Sequence, residues 1–264
     1  MPAVNNDIEG KLALITGASG GIGAACAKAL YLQNVHLALT YSSSEAKILS
    51  LVQELHALRS TDPPGTPKPL ISTHKVDVSS AANLSSLFAS IPASHPGHAG
   101  PDILVSNAGH GKRIPDIGDI SIDEFDYTLN VNLRAAFILA KLSIPHMAAR
   151  GWGRIVFVSS LAAHGGGING CHYAASKAGL QGLMRSLATK HAKDGITVND
   201  VAPAMIGETG MIPDEKFVEG TPGDVRNIPV GRLGTPGEVA GVVVMFCKTG
   251  YLTGQSVLLS GGLK

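Results

Sequence analysis

The chain has 264 residues, of which 44% are apolar, and this suits one α/β domain with a large core. Its formal net charge of +1 excludes the strongly basic surface typical of nucleic-acid-binding proteins and of proteins that bind anionic membranes. The apolar runs are too short to span a bilayer, and residues 1–11 show no secretory signal pattern. Three widely spaced cysteines and the lack of His-Glu-x-x-His or Cys-x-x-Cys motifs lead us to expect a cytoplasmic protein without disulfides or metal.

Short apolar segments alternate with helical patterns along the chain. We predict strands at residues 12–15, 35–39, 71–76, 103–105, 155–158, 196–201 and 257–259. We predict helices at about residues 22–33, 45–59, 80–90, 121–149, 173–193 and 236–247. Apolar strands separated by helices indicate a parallel sheet covered on both faces. The predicted fold is therefore α/β, a single doubly wound Rossmann-type domain over residues 1–264 with about seven parallel strands.

Three segments have no long periodic pattern. Residues 61–69 and 92–101 are rich in Pro and Gly, and we predict surface loops there. Residues 203–230 instead contain several Met, Ile and Phe side chains. A long loop with apolar residues is typical of an active-site lid, so we predict a substrate lid at about 203–230.

A glycine-rich segment follows the first predicted strand. Residues 16–23 have the sequence TGASGGIG and lead into an amphipathic helix. Glycines let the backbone turn sharply and approach a phosphate closely, and the helix N-terminus that follows favours an anion. An ordinary tight turn would also use glycines, but the strand before and the helix after favour dinucleotide binding.

A tyrosine and a lysine lie four residues apart in one predicted helix, at Tyr173 and Lys177, with Ser160 thirteen residues before the tyrosine. Side chains at this spacing share one helix face. A free phenol has a pKa of about 10, and a neighbouring cation lowers it by stabilising the phenolate. The pair predicts a tuned acid/base, although many surface helices carry the same pair without any such role.

The motifs together resemble the short-chain dehydrogenase/reductase family over about residues 8–264. The resemblance rests on their order along the chain: the loop at 16–23, Val76-Asp77-Val78, Asn107-Ala108-Gly109, Asn132, Ser160, Tyr173 with Lys177, and Pro203. Residues 229–240 and 253–255 are most similar to 3-oxoacyl-carrier-protein reductases and to fungal carbonyl and hydroxynaphthalene reductases.

The resemblance implies four catalytic residues. Tyr173 would exchange a proton with the substrate oxygen, and Lys177 would lower the Tyr173 pKa and bind the nicotinamide ribose. Ser160 would hold and polarise the carbonyl, and Asn132 would position a water that links Lys177 to solvent. Ser159 is the rival to Ser160, but the family spacing to Tyr173 favours Ser160, and strand alternation points Ser159 elsewhere.

The resemblance also implies the residues that bind the cofactor. They are Gly17, Ser19, Gly20, Gly21, Ile22, Gly23, Tyr41, Ser42, Ser43, Asp77, Val78, Asn107, Ala108, Gly109, Tyr173, Lys177, Pro203, Ile206 and Thr209. The second strand ends without a carboxylate that would repel a 2′-phosphate, because the first acid is Glu45. Ser42 and Ser43 can donate hydrogen bonds to that phosphate. We therefore predict NADP(H) rather than NAD(H), although Gly20 stands where many NADP-dependent relatives carry an arginine.

These features predict an NADP-dependent oxidoreductase that reduces a ketone or aldehyde, or runs the reverse reaction. The substrate wall is predicted at residues 161–171, including a Gly165–Ile168 run, and at the lid, with His164, Cys171 and His172 as lining. Small and apolar residues there, without an arginine cluster, favour an uncharged small-molecule substrate. The alternatives are a lyase, epimerase or cyclase-like enzyme on the same scaffold, and a non-catalytic cofactor-binding protein.

Two further expectations follow from the resemblance. It implies a homotetramer or homodimer, with no nucleic-acid or membrane partner. Ala204 stands where Pro-Gly is usual, and one extra residue precedes Thr209, so the base of the lid departs from the family pattern.

Overall fold

The computed structural model describes residues 5–63, 65–165 and 167–264. Outside the described residues lie residues 1–4 of the predicted domain, Pro64 in the predicted loop at 61–69, and Gly166 in the predicted substrate wall. The strands are β1 (Leu12–Ile15), β2 (His36–Tyr41), β3 (Ile71–Lys75), β4 (Ile103–Ser106), β5 (Gly153–Val158), β6 (Ile196–Pro203) and β7 (Ser256–Leu259). The helices are α1 (Gly21–Tyr31), α2 (Glu45–Leu58), α3 (Ala81–Ser94), α4 (Ile122–Leu129), α5 (Ala135–Ala149), α6 (Ala162–Gly165), α7 (Cys171–His191) and α8 (Pro236–Cys247).

All seven strands pair in parallel in the order β3-β2-β1-β4-β5-β6-β7. The chain builds outward from β1 to β3 and then crosses back to place β4 on the other side of β1. This reversal opens a crevice between β1 and β4 at the carboxyl ends of the strands, which is where doubly wound sheets bind ligands. The predicted fold class is confirmed.

Two apolar cores cover the two faces of the sheet. Successive residues of β1 point to opposite faces, so Ala13 and Ile15 pack with α1, α2 and α8, whereas Leu12 and Leu14 pack with α3, α5 and α7. Because both faces are buried, the strands have no polar face, and this is why their sequences are apolar throughout.

The predicted helix at 121–149 is not continuous. A π-helical turn at Asn130–Arg134 separates α4 from α5. Turns of this kind interrupt the regular hydrogen bonding of a helix and are frequent at functional sites. Here the turn carries Asn132, one of the predicted catalytic residues.

Two predicted segments also differ from the structure. The helix predicted at 80–90 extends to Ser94 and includes Pro92, so the predicted surface loop at 92–101 begins inside α3. Within that segment His95 is fully buried. None of the helices in the described ranges is both long and apolar enough to cross a membrane.

Candidate active site

A cavity of about 740 Å³ lies at the carboxyl ends of the strands, between the glycine loop and the predicted lid. Its walls come from the ends of β1, β2, β4, β5 and β6 and from the start of α7. A volume of this size is in the range of small-molecule and cofactor sites. The connections that follow these strands hold most of the motifs found in the sequence.

The glycine loop is fixed to the loop that follows β4. The Thr16 hydroxyl accepts hydrogen bonds from the backbone N–H groups of Asn107 and Ala108, both at 3.0 Å. The Asn107 side chain donates to the carbonyls of Thr16 and Gly17 at 2.8 and 3.2 Å. Gly17 has a φ of +65°, a conformation that favours glycine. The Asn-Ala-Gly motif therefore fixes the conformation of the glycine loop through these hydrogen bonds.

The lid approaches the glycine loop closely. A Cβ added to Gly21 would collide with the carbonyl oxygen of Glu208 in the lid. Met205 and Glu208 themselves have φ values of +51° and +56°, which are uncommon for residues other than glycine. The base of the lid, whose sequence departs from the family pattern, therefore contains two residues with a left-handed backbone conformation. The backbone of one of them, Glu208, lies against the glycine loop at Gly21.

Tyr173 and Lys177 lie on the same face of α7, as their spacing predicts, and both side chains are buried. The Lys177 ammonium lies 5.7 Å from the centre of the Tyr173 ring and donates to the Val158 carbonyl oxygen at 2.8 Å. Ser160 follows β5 and lies on the same cavity wall as Tyr173, and its hydroxyl accepts from the Ala162 N–H at 3.2 Å. Three of the four predicted catalytic residues thus converge on the cavity.

The electrostatics differ from the expectation that Lys177 lowers the Tyr173 pKa. In the protein chain alone, burial raises the pKa of Tyr173, and the hydrogen bond with Ser160 only partly offsets this. Burial also lowers the pKa of Lys177 to about 8, against the opposing charge of Asp200. The reason is geometric, because Lys177 directs its ammonium to the Val158 carbonyl rather than to the phenol oxygen.

Asp200 is a buried carboxylate behind these residues, on β6. Burial raises its pKa, while the hydrogen bond from Ser256 and the charge of Lys177 lower it. The hydroxyl of Ser159, the rival to Ser160, donates to the Val201 carbonyl oxygen at 3.4 Å. Ser159 nevertheless lines the cavity together with Ser160, so its orientation away from the catalytic face stays a prediction.

Asn132 lies behind the cavity wall, with its side chain fully bonded. Its amide oxygen accepts from the His110 backbone N–H at 2.7 Å, and its amide nitrogen donates to the His110 carbonyl and to the Ser176 hydroxyl, both at 2.9 Å. A Cβ added to Gly109 would lie 3.5 Å from both Asn132 Oδ1 and Lys177 Nζ. Asn132 and Lys177 therefore both lie close to the same glycine.

Comparison with known proteins identifies the family. Residues 11–216 match the family model described as short chain dehydrogenase. This chain is a short-chain dehydrogenase/reductase. It is 34% identical to a 3-oxoacyl-acyl-carrier-protein reductase of Rickettsia bellii, over 97% of this chain and 98% of that protein. It is 32% identical to a hydroxynaphthalene reductase-like protein of Metarhizium anisopliae, over 97% of this chain and 95% of that protein.

A solved structure gives the same result for the fold. The short-chain dehydrogenase/reductase of Serratia marcescens superposes with a TM-score of 0.84 and 28% identity, over 97% of this chain and 99% of that one. The chain is thus an oxidoreductase of this family, and its geometry can be compared with the residues predicted for a short-chain dehydrogenase/reductase.

Most of the predicted cofactor residues of this short-chain dehydrogenase/reductase line the cavity. Those that do are Gly17, Ser19, Gly20, Gly21, Ile22, Gly23, Tyr41, Ser42, Asp77, Val78, Asn107, Ala108, Gly109, Tyr173, Lys177, Pro203, Ile206 and Thr209. Ser43 does not line it, because it lies beyond the end of β2 just before α2 begins.

The substrate wall of the dehydrogenase differs from its prediction. Leu161, Ile168 and the lid residues Met211 and Phe217 do line the cavity. The three other predicted lining residues, His164, Cys171 and His172, do not. His164 lies at the side chain of Gln181, Cys171 is exposed at the start of α7, and His172 is turned into the protein and fully buried.

Sequence reasoning missed one wall of the cavity altogether. Residues 110–113, which follow the Asn-Ala-Gly motif, and Tyr127 on α4 all line it. Lys112 and Arg113 bring two positive charges to the cavity, whereas the predicted substrate wall at 161–171 and the lid has no arginine cluster. The position of residues 110–113 directly after the motif at the end of β4 was the available signal, because loops at the carboxyl ends of parallel strands line the crevice.

Proposed function

We propose that the chain is an NADP(H)-dependent carbonyl reductase or alcohol dehydrogenase in which Tyr173 is the general acid/base. The observation that carries this proposal is the convergence of Tyr173, Lys177 and Ser160 on one cavity with the glycine loop. A donor set of this kind serves a reaction in which negative charge develops on a substrate oxygen.

The cavity fits a dinucleotide. The N-cap of α1 is Gly20, which brings no side chain to cap the first N–H groups of the helix, so these amides are available for a phosphate. Gly17 allows the sharp turn before them. Tyr41 and Ser42 at the end of β2 and Asp77 after β3 would hold the adenosine half, and Lys177 and Thr209 the nicotinamide half. A bound nicotinamide cofactor would supply or accept the hydride.

The residues of the chain would then handle the proton. In reduction, the Tyr173 hydroxyl gives its proton to the substrate oxygen while Ser160 donates a hydrogen bond to the same oxygen. Burial holds Tyr173 in its protonated form, which suits a proton donor. The charge of the Lys177 ammonium, 5.7 Å from the centre of the Tyr173 ring, would stabilise the phenolate that remains. Asn132, held by the π turn, would position the path by which the proton is replaced.

The proposal for NADP(H) rests on the end of β2. Ser42 lies on the cavity wall, and the first carboxylate after it, Glu45, does not line the cavity. A 2′-phosphate would therefore meet a hydroxyl and no negative charge from this segment.

The test is a screen for NADPH oxidation with ketones, aldehydes, β-ketoesters, quinones and acyl thioesters. We expect turnover with at least one uncharged carbonyl compound and a higher kcat/KM for NADPH than for NADH. Ser42→Asp should reverse that preference, with Ser43→Asp as the matched control outside the cavity. Substrate conversion without net NADPH consumption would instead support a lyase or epimerase, and binding without conversion a non-catalytic protein.

Assembly and location complete the proposal. Phe137 and Ile144 on α5 lie with Leu187 on α7 in a shallow surface groove, and Phe137 is about half exposed. An apolar surface on these two helices supports a homotetramer or homodimer built through them. We propose a cytoplasmic enzyme, and the mass in solution measured by light scattering tests the assembly.

A further inference from the structure

His110 lies next to the proposed proton-transfer residues, and both its backbone and its side chain are held by contacts. His110 directly follows Gly109, which borders Lys177. Its backbone is tied to the Asn132 side chain through both its N–H and its carbonyl, at 2.7 and 2.9 Å. The imidazole packs edge to face against Tyr127, with ring centres 4.9 Å apart, and both residues line the cavity.

A carboxylate fixes one nitrogen of this imidazole. Glu124 Oε1 lies 2.7 Å from His110 Nε2, and it also accepts from the Thr128 hydroxyl at 3.3 Å. The Lys112 ammonium lies 3.5 Å from the other carboxylate oxygen. The Glu124 side chain is only 13% exposed, so the carboxylate is largely shielded from water.

The local sequence predicts a different use of Glu124. Residues 121–124 form a Ser-x-x-Glu pattern, and the Ser121 hydroxyl accepts from the Glu124 N–H at the start of α4. In a capping box the glutamate would bond back to the serine N–H. Among the hydrogen bonds of the described residues, the Glu124 carboxylate instead contacts His110 and Thr128. Helix α4 thus keeps the hydrogen bond from the Glu124 N–H to Ser121, while the Glu124 carboxylate holds the histidine instead of capping the Ser121 N–H.

The carboxylate also sets the tautomer of the neutral imidazole. Although burial raises it, the hydrogen bond from His110 and the charge of Lys112 hold the pKa of Glu124 below its usual range. An ionised carboxylate can only accept, so Nε2 carries the proton and Nδ1 keeps its lone pair. Nδ1 has no hydrogen-bond partner in the part of the chain that the structure describes, and the side chain is 30% exposed.

We infer that His110 contacts the substrate and that its Nδ1 accepts a hydrogen bond from a substrate hydroxyl close to the reacting carbonyl. The preferred substrates are then hydroxy-substituted ketones or aldehydes, and Glu124 is the positioning residue for His110. This inference rests on the proposed function. A salt bridge that served only to tether α4 would use Nε2 alone and would leave substrate preference untouched.

The test compares three ketones that differ in one group. Hydroxyacetone carries a hydroxyl, methoxyacetone the same oxygen without a hydrogen to donate, and acetone neither. We expect the ratio of kcat/KM for hydroxyacetone to that for methoxyacetone to fall about three- to tenfold in His110→Phe, as expected for one neutral hydrogen bond. In Glu124→Gln, which frees the tautomer, the ratio should fall by a smaller factor. His56→Phe, at an exposed position on α2, is the matched control and should keep the wild-type ratio.

Ratios cancel any general loss of activity, and the melting temperature of each variant shows whether it folds. Turnover of these ketones with an unchanged ratio in both His110→Phe and Glu124→Gln would overturn the inference alone. The inference would also be overturned if the wild-type enzyme had the same kcat/KM for methoxyacetone as for hydroxyacetone. Failure to oxidise NADPH with any carbonyl compound of the wider screen would overturn the proposed function, and this inference with it.

Discussion

At the carboxyl ends of the strands, Tyr173 and Lys177 are buried beside an open cavity, whereas at the amino ends a buried Asp102 is surrounded by two histidines and an arginine. Asp102 Oδ2 accepts from the Leu12 backbone N–H at 3.0 Å and so joins β4 to β1. His98, His146 and Arg150 place nitrogens 3.3–3.4 Å from its carboxylate. The sheet therefore has buried ionisable groups at both ends of its strands. Those at the carboxyl ends border a cavity, and those at the amino ends are packed against other side chains.

Histidines extend the cluster at the amino ends. His36 at the start of β2 accepts from the Leu70 N–H at 2.8 Å, and its ring lies 5.4 Å from that of His98. His95 Nε2 is 2.7 Å from the Ser72 hydroxyl, while His95 Nδ1 is buried without a partner among the described residues. Burial, reinforced by its histidine neighbours, lowers the pKa of His95 to about 4.

The difference shows what each end contributes. Groups around a cavity can exchange protons with a ligand, so changes there should alter catalysis more than stability. Groups that pair with one another and with strand N–H groups hold the starts of the strands, so changes there should alter stability more than catalysis. The following variants separate the two effects.

The largest effect is expected from Tyr173→Phe at the carboxyl end. Phenylalanine keeps the ring that packs at the start of α7 and removes only the proton donor. We expect kcat to fall by about 10³-fold, in the range for loss of a general acid, with little change in NADPH affinity. Steady-state kinetics and a fluorescence titration with NADPH measure the two quantities. A variant that keeps its turnover would remove Tyr173 from the proposed role.

Asp102→Ala should show the opposite pattern at the amino end. It leaves the Leu12 N–H without its acceptor and removes the charge that faces His98, His146 and Arg150. Removal of one partner from a buried ionic cluster costs about 3 kcal/mol of unfolding free energy. Urea unfolding measures this loss, and kcat of the folded variant should stay close to that of the wild type. Asp102→Asn, which keeps an acceptor for Leu12, should lose less. Equal losses in both variants would contradict the strand-joining role.

Acid should weaken the amino end through His95. Its folded-state pKa of about 4 lies below the value of about 6.5 for a free imidazole. Between these values the unfolded chain binds more protons, so stability falls as the pH is lowered from about 6.5 to 4, by about 3 kcal/mol for this one group. Above pH 6.5 the loss is absent. Burial lowers the pKa of His36, His74 and His98 in the same direction.

His95→Gln tests this assignment, because glutamine can keep the bond to Ser72 without titrating. Urea unfolding between pH 7.5 and 4.5 should give a shallower loss of stability for this variant than for the wild type. His56→Gln on the exposed face of α2 is the control and should follow the wild-type curve. Parallel curves for His95→Gln and the wild type would place the acid-sensitive group elsewhere.

The carboxyl end was largely predictable from the sequence and the amino end was not. The glycine loop, the Tyr-Lys pair and the strand ends are local patterns, because each depends on spacing within one turn or one strand. The resemblance to a family then ordered these patterns into a single site. The histidine cluster joins residues from 36 to 146 that share no spacing, so only the folded topology brings them together.

Some features at the carboxyl end were also not predictable from local sequence patterns. Asn132 was predicted from its place among the motifs, but the π turn that carries it has no sequence pattern that we recognise. Glu124 matched a capping box, and the tertiary contact with His110 overrode that local preference. The contacts of His110 depend on how α4 packs against the loop after β4, which periodicity does not reveal.

The smallest predicted effect concerns Asp200, a buried carboxylate near the cavity. Burial lowers the pKa of Lys177 to about 8, and the negative charge of Asp200 works against this. Asp200→Asn keeps an acceptor for the Ser256 hydroxyl and removes the charge. The pKa of Lys177 should therefore fall further. If protonated Lys177 is the active form, kcat/KM will decline above about pH 8 in the wild type, and this alkaline limb will move by less than about one unit toward lower pH in the variant.

A pH profile of kcat/KM for both proteins measures the shift, and Ser256→Ala, which keeps the carboxylate, is the matched control. An alkaline limb at the same pH in Asp200→Asn, or one moved to higher pH, would show that Asp200 does not act on Lys177. Asp200 would then have a purely structural role at the carboxyl ends of the strands, as Asp102 has at the amino ends.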